Sequence, residues 1–550
     1  MPVLLGAALL PSGFAQTPPP LPGAGSTLRE TTPPVRPPEA APSPPAPPAV
    51  RAPAARPAGP TFVLREVRFV GATVFDDAAL QRLAADRIGK AVTFSALEAI
   101  AQQVTERYRA AGYLVAQAIV PVQDVSAGRV EISVLEGRIG RVRIEMDPAA
   151  PIDEARVRAY TARILPGQPL HEATLGRAML LLSDLPGVAV TASLEGGEAS
   201  GSTDLVITVN PERRWSLSFD ADNHGSRATS EYRAGVQGRW NSPLRIGDNL
   251  DYRLQLGSGG GLQFGRVGYE RPVGGQGHRI GLAVTRLEYA LGKDFAALDA
   301  KGTADVIDLS VTYPVVRSRS RNLFAKLALQ QKELQDRFGA VAVVNDKRIR
   351  DVTLSLNFES SDRWLGGGYT SAGLTMLAGD LRLQSTEQRA IDQAARRTEG
   401  GFTHWSYNLS RLNALTTNAN LFIGVAGQIS DKNLDSAEKI SLGGPRGVRA
   451  YAPSEATADE GHIVNAELRY SQSKELSVQG FYDWGHARLN HSPLAVDTVN
   501  KVTLHPEITY AGAEPTADQR EHMHHKAHEV CFIANSVKTE ILVEEKAAAG

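Results

Sequence analysis

From Trp215 to about residue 485 the chain alternates apolar and polar positions with a period of two, the pattern of strands that bury one face. Trp215, Leu217 and Phe219 form one such run; Leu250, Tyr252, Leu254 and Leu256 form another. The pattern returns at 307–313, 323–329, 352–358, 405–409, 421–425, 464–470 and 476–484, with Gly, Asn, Asp and Ser between runs. About thirteen strands are predicted in this region. Their opposite faces carry residues such as Asp251, Arg253 and Gln255. A soluble β-sandwich also alternates, but this many consecutive amphipathic hairpins strain that reading. A transmembrane barrel, greasy toward lipid and polar toward a wet lumen, satisfies every backbone group and fits better. Trp215, Trp240, Tyr313, Trp405 and Trp484 suit aromatic girdles at the membrane interfaces.

Upstream, the periodicity is mixed. Residues 62–136 predict strand, helix, helix, strand, strand. A strand covers 62–70, and Asp76 or Asp77 caps a helix reaching about residue 87. A second helix opens at Ser95 with Glu98 as a capping box, shows Leu97, Ile100, Ala101, Val104 and Tyr108 on one face, and stops at Gly112. Strands at 113–122 and 129–135 follow. Residues 137–211 repeat this order, with strands at 139–144, 189–194 and 204–209 and helices at 153–164 and 171–185. The two units are tandem α+β domains.

Residues 16–61 form a proline-rich linker, with 16 of the chain's 33 prolines between 17 and 60. Such a stretch lacks backbone donors and core side chains and is expected to be extended and polyproline-like. Residues 1–15 carry an apolar run from Val3 to Leu10, and Gly13 and Ala15 suit a cleavage site. A signal peptide is expected there, although no positive charge precedes the run. No window has the roughly 18 consecutive apolar residues of a spanning helix, which says nothing against a barrel.

Charge narrows the function classes. With 59 Lys and Arg against 60 Asp and Glu, nothing favours nucleic acid as a partner. One cysteine, Cys531, excludes an intramolecular disulfide framework or a cysteine-rich metal cluster. No phosphate-binding glycine loop is present, and neither a cofactor nor a metal is expected.

The most informative stretch is Leu442-Gly443-Gly444-Pro445-Arg446-Gly447-Val448-Arg449-Ala450-Tyr451, in a long loop between the eleventh and twelfth strands. Its counterpart is Phe481-Tyr482-Asp483-Trp484-Gly485 on the thirteenth. If Tyr482 and Trp484 face lipid, period two turns Phe481 and Asp483 into the lumen. A loop folded back into the lumen can then set Arg449 against Asp483, and a guanidinium–carboxylate pair would pin it.

These residues, with the two tandem domains, resemble the two-partner secretion transporters of the hemolysin and hemagglutinin secretion/activation family. The tandem domains look like POTRA domains, at 62–136 and 137–211. The resemblance implies a periplasmic pair of POTRA domains and an outer-membrane barrel of sixteen strands, here 212–490. A lumen-inserted loop would carry Gly447, Val448, Arg449 and Tyr451, locked on Phe481, Asp483 and Gly485. It implies export of an unfolded partner protein, captured by POTRA edges through β-augmentation and threaded through the pore without catalysis. Outer-membrane lipid and the barrel-assembly machinery are the further partners implied. Ala450 stands where the family has Gly, which restricts the backbone there. The alternatives are a factor that inserts or assembles other outer-membrane proteins and, more weakly, a peroxide-detoxifying enzyme.

That last alternative comes from the tail. Residues 491–550 lose the strand pattern; strands at 502–510 and 539–543 and a helix at about 516–530 are predicted. The stretch His525 to Val537, with Cys531, resembles the end of the OsmC/Ohr hydroperoxide-reductase family. One cysteine cannot make the thiol pair such a peroxidase uses. The expectation is a short α/β OsmC-like fragment fused to a truncated barrel. His524 and His528, at i,i+4, have the spacing of a zinc pair, but family residues on a helix explain them as well.

Overall fold

The computed structural model describes residues 23–31 and 61–492, apart from 200, 446, 453–455 and 474–475, together with 501–504, 516 and 540–543. The expected signal peptide, Cys531 and the histidines at 522–528 lie outside the described residues.

The first element among the described residues is helix α1 (Ala24–Thr31). In the first α+β unit, β1 (Phe62–Val63) pairs with β3 (Ala91–Val92). Its main sheet has the order β2 (Glu66–Val70), β5 (Arg129–Leu135), β4 (Gln117–Ile119). Helices α2 (Asp77–Ala84) and α3 (Phe94–Ala110) pack on it. Asp76 caps α2 by accepting from the Ala79 amide at 2.8 Å. Leu97, Ile100, Ala101, Val104 and Tyr108 are the buried stripe of α3. The capping box expected at Ser95 does not form. The N-cap falls two residues earlier, on Thr93, so the helix begins at Phe94, and the Ser95 hydroxyl lies 3.0 Å from that of Thr93. The strand expected at 113–122 shrinks to β4. Tyr113 instead closes the helix end, its amide donating to Tyr108 O, beside Gly112 at φ 91°.

The second unit repeats the plan, with sheet order β6 (Arg138–Met146), β8 (Ser202–Pro211), β7 (Val188–Gly196) under α4 (Glu154–Thr161) and α5 (Glu172–Ser183). Asp153 caps α4 and His171 caps α5. Only Glu136 and Gly137 separate β5 from β6, so the two units meet without slack. The solvent-free Glu136 carboxylate accepts from the Thr73 and Val74 amides at 2.5 and 2.8 Å, the Tyr108 hydroxyl at 2.9 Å and Arg138 at 2.9 Å. Gly112 O takes the Glu172 amide, and Tyr113 meets the His171 ring edge-on at 5.1 Å.

Burial works against the charge of Glu136, but the Thr73, Val74 and Tyr108 hydrogen bonds outweigh it and hold its pKa below the ordinary value. A depressed carboxylate pKa stabilises the fold above its unfolded value, and that contribution is lost as pH falls through the lowered folded value. Glu136→Ala should therefore cost about 3 kcal/mol at neutral pH. The wild-type advantage in melting of the helical circular-dichroism signal should shrink in acid. An equal gap at every pH would contradict this reading.

The remaining strands form one antiparallel sheet of thirteen. They are β9 (Trp215–Asp222), β10 (Arg233–Asn241), β11 (Asn249–Gly257), β12 (Leu262–Val273), β13 (His278–Ala290) and β14 (Ala300–Arg317). Then come β15 (Arg321–Phe338), β16 (Val343–Asp362), β17 (Gly368–Leu383), β18 (Gly400–Ala414) and β19 (Ala419–Ser430). The last two are β22 (Glu460–Ser471) and β23 (Ser477–Arg488), after the short loop ladder β20 (Ile440–Ser441) and β21 (Thr457–Ala458). Neighbours in sequence are neighbours in space, and β9 and β23 are the two edges. Beyond this sheet, β24 (Lys501–Leu504) and β25 (Glu540–Val543) pair in parallel; the rest of the strand predicted at 502–510, and the helix predicted at about 516–530 apart from residue 516, lie outside the described residues.

Period-two sidedness holds along the wall. On β15, Leu327 and Leu329 are exposed on the outer face while Ala328, Lys332, Leu334 and Asp336 are buried inside. The matching outer belt on β16 is Val352, Leu354, Leu356 and Phe358. No described helix is long and apolar enough to cross a membrane, which says nothing of a barrel of strands.

The second α+β unit seats directly on one end of the wall. Asp184 takes Arg317 through both carboxylate oxygens at 2.7 and 2.9 Å. Arg177 donates to Pro314 O, Ser242 to Pro186 O, and Arg245 to Ala150 O. The hairpin turns at this end therefore lie against the second α+β unit, and Trp215 and Trp240 stack at 4.4 Å beside them.

Residues 23–31 correct the expectation of an extended linker over 16–61. They contain no proline, and they fold into α1 inside the wall. Ala24 and Leu28 are buried with Leu262, Phe264, Leu287 and Tyr289. The Ala24 amide donates to Asp336 at 2.7 Å. An eight-residue helix is marginal alone in water, so this lumen packing holds it.

Candidate functional site: a loop pinned inside the barrel

The segment 431–459 between β19 and β22 folds back among the inward side chains. At its tip Gly444, at φ 94°, turns the chain, and the Gly447 amide returns to Gly444 O at 3.1 Å. A Cβ on Gly447 would fall 2.0 Å from Leu442 O, so only glycine fits there. The Val448 amide donates to Leu442 O and the Tyr451 amide to Val448 O, which aims Arg449 at the wall.

Arg449 meets β22 and β23 with all three guanidinium nitrogens. Its Nε and one terminal nitrogen each donate to Asp483 at 2.7 Å, and its backbone amide reaches the same carboxylate at 3.2 Å. The other terminal nitrogen donates to Glu467 of β22 at 2.7 Å. The guanidinium carbon lies 3.8 Å from the centre of the Phe481 ring. Asn465 bridges the two parts, donating to Asp483 at 2.7 Å and to Gly447 O at 3.0 Å. Gly485 leaves room for Val448: a Cβ there would sit 2.8 Å from the valine methyl. Tyr451 is half exposed. Phe481 and Asp483 face the lumen, and Tyr482 and Trp484 lie on the opposite face. Ala450 is not in the left-handed region, so alanine in place of glycine brings no backbone strain.

A second anchorage was not anticipated from the sequence. Lys332 of β15 pairs with Glu438 of the loop at 2.7 Å and with Asp351 at 3.2 Å. Lys347 of β16 holds Asp435 at 2.9 Å, and Lys439 holds Asp459 at 2.6 Å. Gln428 donates to the Glu438 and Asp459 carbonyls. Asp336 links this anchorage to α1, accepting the Ala24 amide and the Tyr289 hydroxyl while lying 3.9 Å from Lys347. Gly25 packs so closely on Ala437 that a Cβ would lie 2.7 Å from it. The available signal was charge at inward parity on β15 and β16, but strand register was needed to see which charges meet the loop. No group of residues fit to hold a metal ion occurs among the described residues.

The arrangement is a plugged pore: a wall polar inside and apolar outside, filled by a helix and a loop held on ion pairs. Residues 201–498 match the family model described as haemolysin secretion/activation protein ShlB/FhaC/HecB, and residues 62–137 match the POTRA domain, ShlB-type. The chain is 30% identical over 424 residues to the heme/hemopexin transporter protein HuxB of Haemophilus influenzae strain 86-028NP, covering 76% of this chain and 74% of that one. It is 23% identical over 423 residues to the outer membrane transporter CdiB of Escherichia coli, covering 75% and 70%. The solved structure of CdiB from Escherichia coli superposes with a TM-score of 0.61 at 20% identity, over 79% of this chain and 81% of that one. CdiB from Acinetobacter baumannii gives 0.53 at 16%, over 78% and 80%.

Proposed function

Because the chain belongs to the haemolysin secretion/activation family, we propose that it carries one unfolded partner protein out of the periplasm through its own barrel, with Arg449 on Asp483 as the catch that keeps the channel loop in place. The chain is an outer-membrane transporter with POTRA and barrel parts, and the POTRA side is periplasmic. The observation that carries the catch is the seating of Arg449 between Asp483, Glu467 and Phe481 by a loop that occupies the lumen.

The route runs through 62–136 and 137–211 as the receiving domains and 212–490 as the channel. The edge strand β7, with no further strand beside it among the described residues, offers backbone to an extended chain, which needs no fixed sequence to pair with it, whereas on β4 the Ala118 amide is already held by the Thr105 hydroxyl. The lumen's charged lining lets a hydrated polypeptide pass, and no step makes or breaks a covalent bond. Outer-membrane lipid surrounds the belt, and the barrel-assembly machinery inserts the wall. The OsmC-like stretch around Cys531 plays no part in this route.

Comparing secreted and periplasmic proteins in cells with and without this chain tests the reading. One large secreted protein should vanish from the medium and be left in the periplasm as fragments, with the rest of the outer membrane unchanged. An unaltered medium would refute export, and a general loss of outer-membrane proteins would favour the assembly-factor reading instead.

A further inference from the structure

The outer wall of β15 to β17 rises past the apolar belt on the side away from the POTRA domains. Leu329, Val352 and Ala378 stand opposite one another in the last apolar row. The next outward row is Gln331, Arg350 and Asp380, and the one after it is Glu333, Arg348 and Arg382. Each row is two residues further along, about 7 Å. These two rows therefore lie about 7 and 14 Å along the strands beyond the last apolar row, the first at headgroup depth and the second just past it.

Two features of this patch are not explained by internal pairing. Arg348 and Arg382 are direct cross-strand partners on one face, an arrangement of like charges that destabilises a sheet. Arg350, in the adjacent row opposite Asp380, makes its hydrogen bond among the described residues to the neutral Gln331 amide oxygen, at 3.0 Å, while Asp380 turns to Arg382. Glu333 holds Arg348 through one carboxylate oxygen, which takes Nε and a terminal nitrogen at 3.1 Å each, and Asp380 holds Arg382 through Nε at 2.8 Å. On this face of the three strands above the belt, Arg337, Arg348, Arg350 and Arg382 outnumber Glu333, Asp346 and Asp380. The periplasmic edge differs: stacked rings, Trp215 on Trp240 and His278 on Tyr313, mark it.

We propose that Arg348, Arg350 and Arg382 form a binding site on the outer wall for the phosphate groups of the phosphorylated glycolipid in the outer leaflet. This rests on the outer-membrane placement above. A phosphate between Arg348 and Arg382 relieves their repulsion and gives Arg350 the anionic partner it lacks, with guanidinium forks matched to phosphate oxygens. The acyl chains of the same lipid lie along Leu329, Val352, Leu354 and Leu356. One amphiphile thus satisfies both the charged rows and the belt beneath.

The test uses the full chain purified in detergent, with bis-phosphorylated lipid A, its dephosphorylated form and phosphatidylglycerol as probes in native mass spectrometry. The wild type should prefer bis-phosphorylated lipid A to the other two. Arg348→Gln/Arg350→Gln/Arg382→Gln should lose that preference by about ten-fold or more. Arg350→Gln alone, which leaves the Glu333 and Asp380 pairs intact and guards against misfolding, should lose part of it. Equal binding of the dephosphorylated lipid, equal competition by phosphatidylglycerol, or an unchanged triple variant would overturn the site while leaving the export reading untouched. A wild-type chain that stays soluble without detergent and takes up no lipid would overturn both.

Discussion

Arg449→Ala will stop release of the partner protein while leaving the chain in the outer membrane. The substitution removes both guanidinium donors from Asp483, one from Glu467 and the cation over Phe481 at a single stroke, leaving, of residue 449, only its backbone amide on Asp483. The Asp483 side chain is only 5% exposed, so its charge is left with Asn465 as side-chain partner. Breaking such a pair from one side costs about 3–5 kcal/mol. The cost falls on the loop tip. The backbone ladder between β22 and β23 runs from Glu460–Arg488 to Ser471–Ser477 and does not depend on the arginine. Insertion, read by heat-modifiable gel migration, should therefore persist while partner protein disappears from the medium. Arg449→Lys should restore little, because one ammonium cannot span Asp483 and Glu467 as the guanidinium fork does. Normal release from Arg449→Ala would sink the catch.

Lys332→Met will open the channel to ions. Lys332 is the cation between two nearly dry carboxylates, Glu438 of the loop and Asp351 of the wall. Without it they face each other, and the loop's other limb is free to leave. The loss is again about 3–5 kcal/mol, enough to shift a closed loop toward an open one by a factor of a hundred or more. Planar-bilayer recordings should show conductance several-fold above the wild type. Lys332→Met/Glu438→Gln, which removes one of the two stranded charges, should recover part of the closed behaviour. Wild-type conductance in the single variant would show that the loop is held without this lysine.

The wall was legible because its pattern is simple. Each strand alternates, and the Gly, Asn and Asp breaks fall where the hairpins turn, so runs such as 352–358 and 464–470 lie inside β16 and β22. The α+β order was legible for a similar reason: Asp76, Asp153 and His171 stand at real helix starts. Ser95 did not, because Thr93 two residues earlier has the extended backbone an N-cap needs and takes the position. Helix α1 was hidden by its surroundings. Nine residues without proline inside a proline-rich stretch carry little helical signal, and burial against Leu287 and Tyr289 decides their state. At the site, parity along β23 sets Asp483 inward and the loop length lets Arg449 return to it. Lys332 and Lys347 gave no such clue, since their partners Glu438 and Asp435 lie about ninety to a hundred residues away.

Two borders of the sheet, β9 and β23, each present a row of amides and carbonyls with no neighbouring strand among the described residues. Hydrocarbon offers such groups nothing, and each left bare there costs several kcal/mol. Side chains cannot answer a whole row spaced along a strand; only another polypeptide running beside it can. Among the described residues these two borders are where main chain is demanded and grease refused, and whatever mends them must arrive already extended.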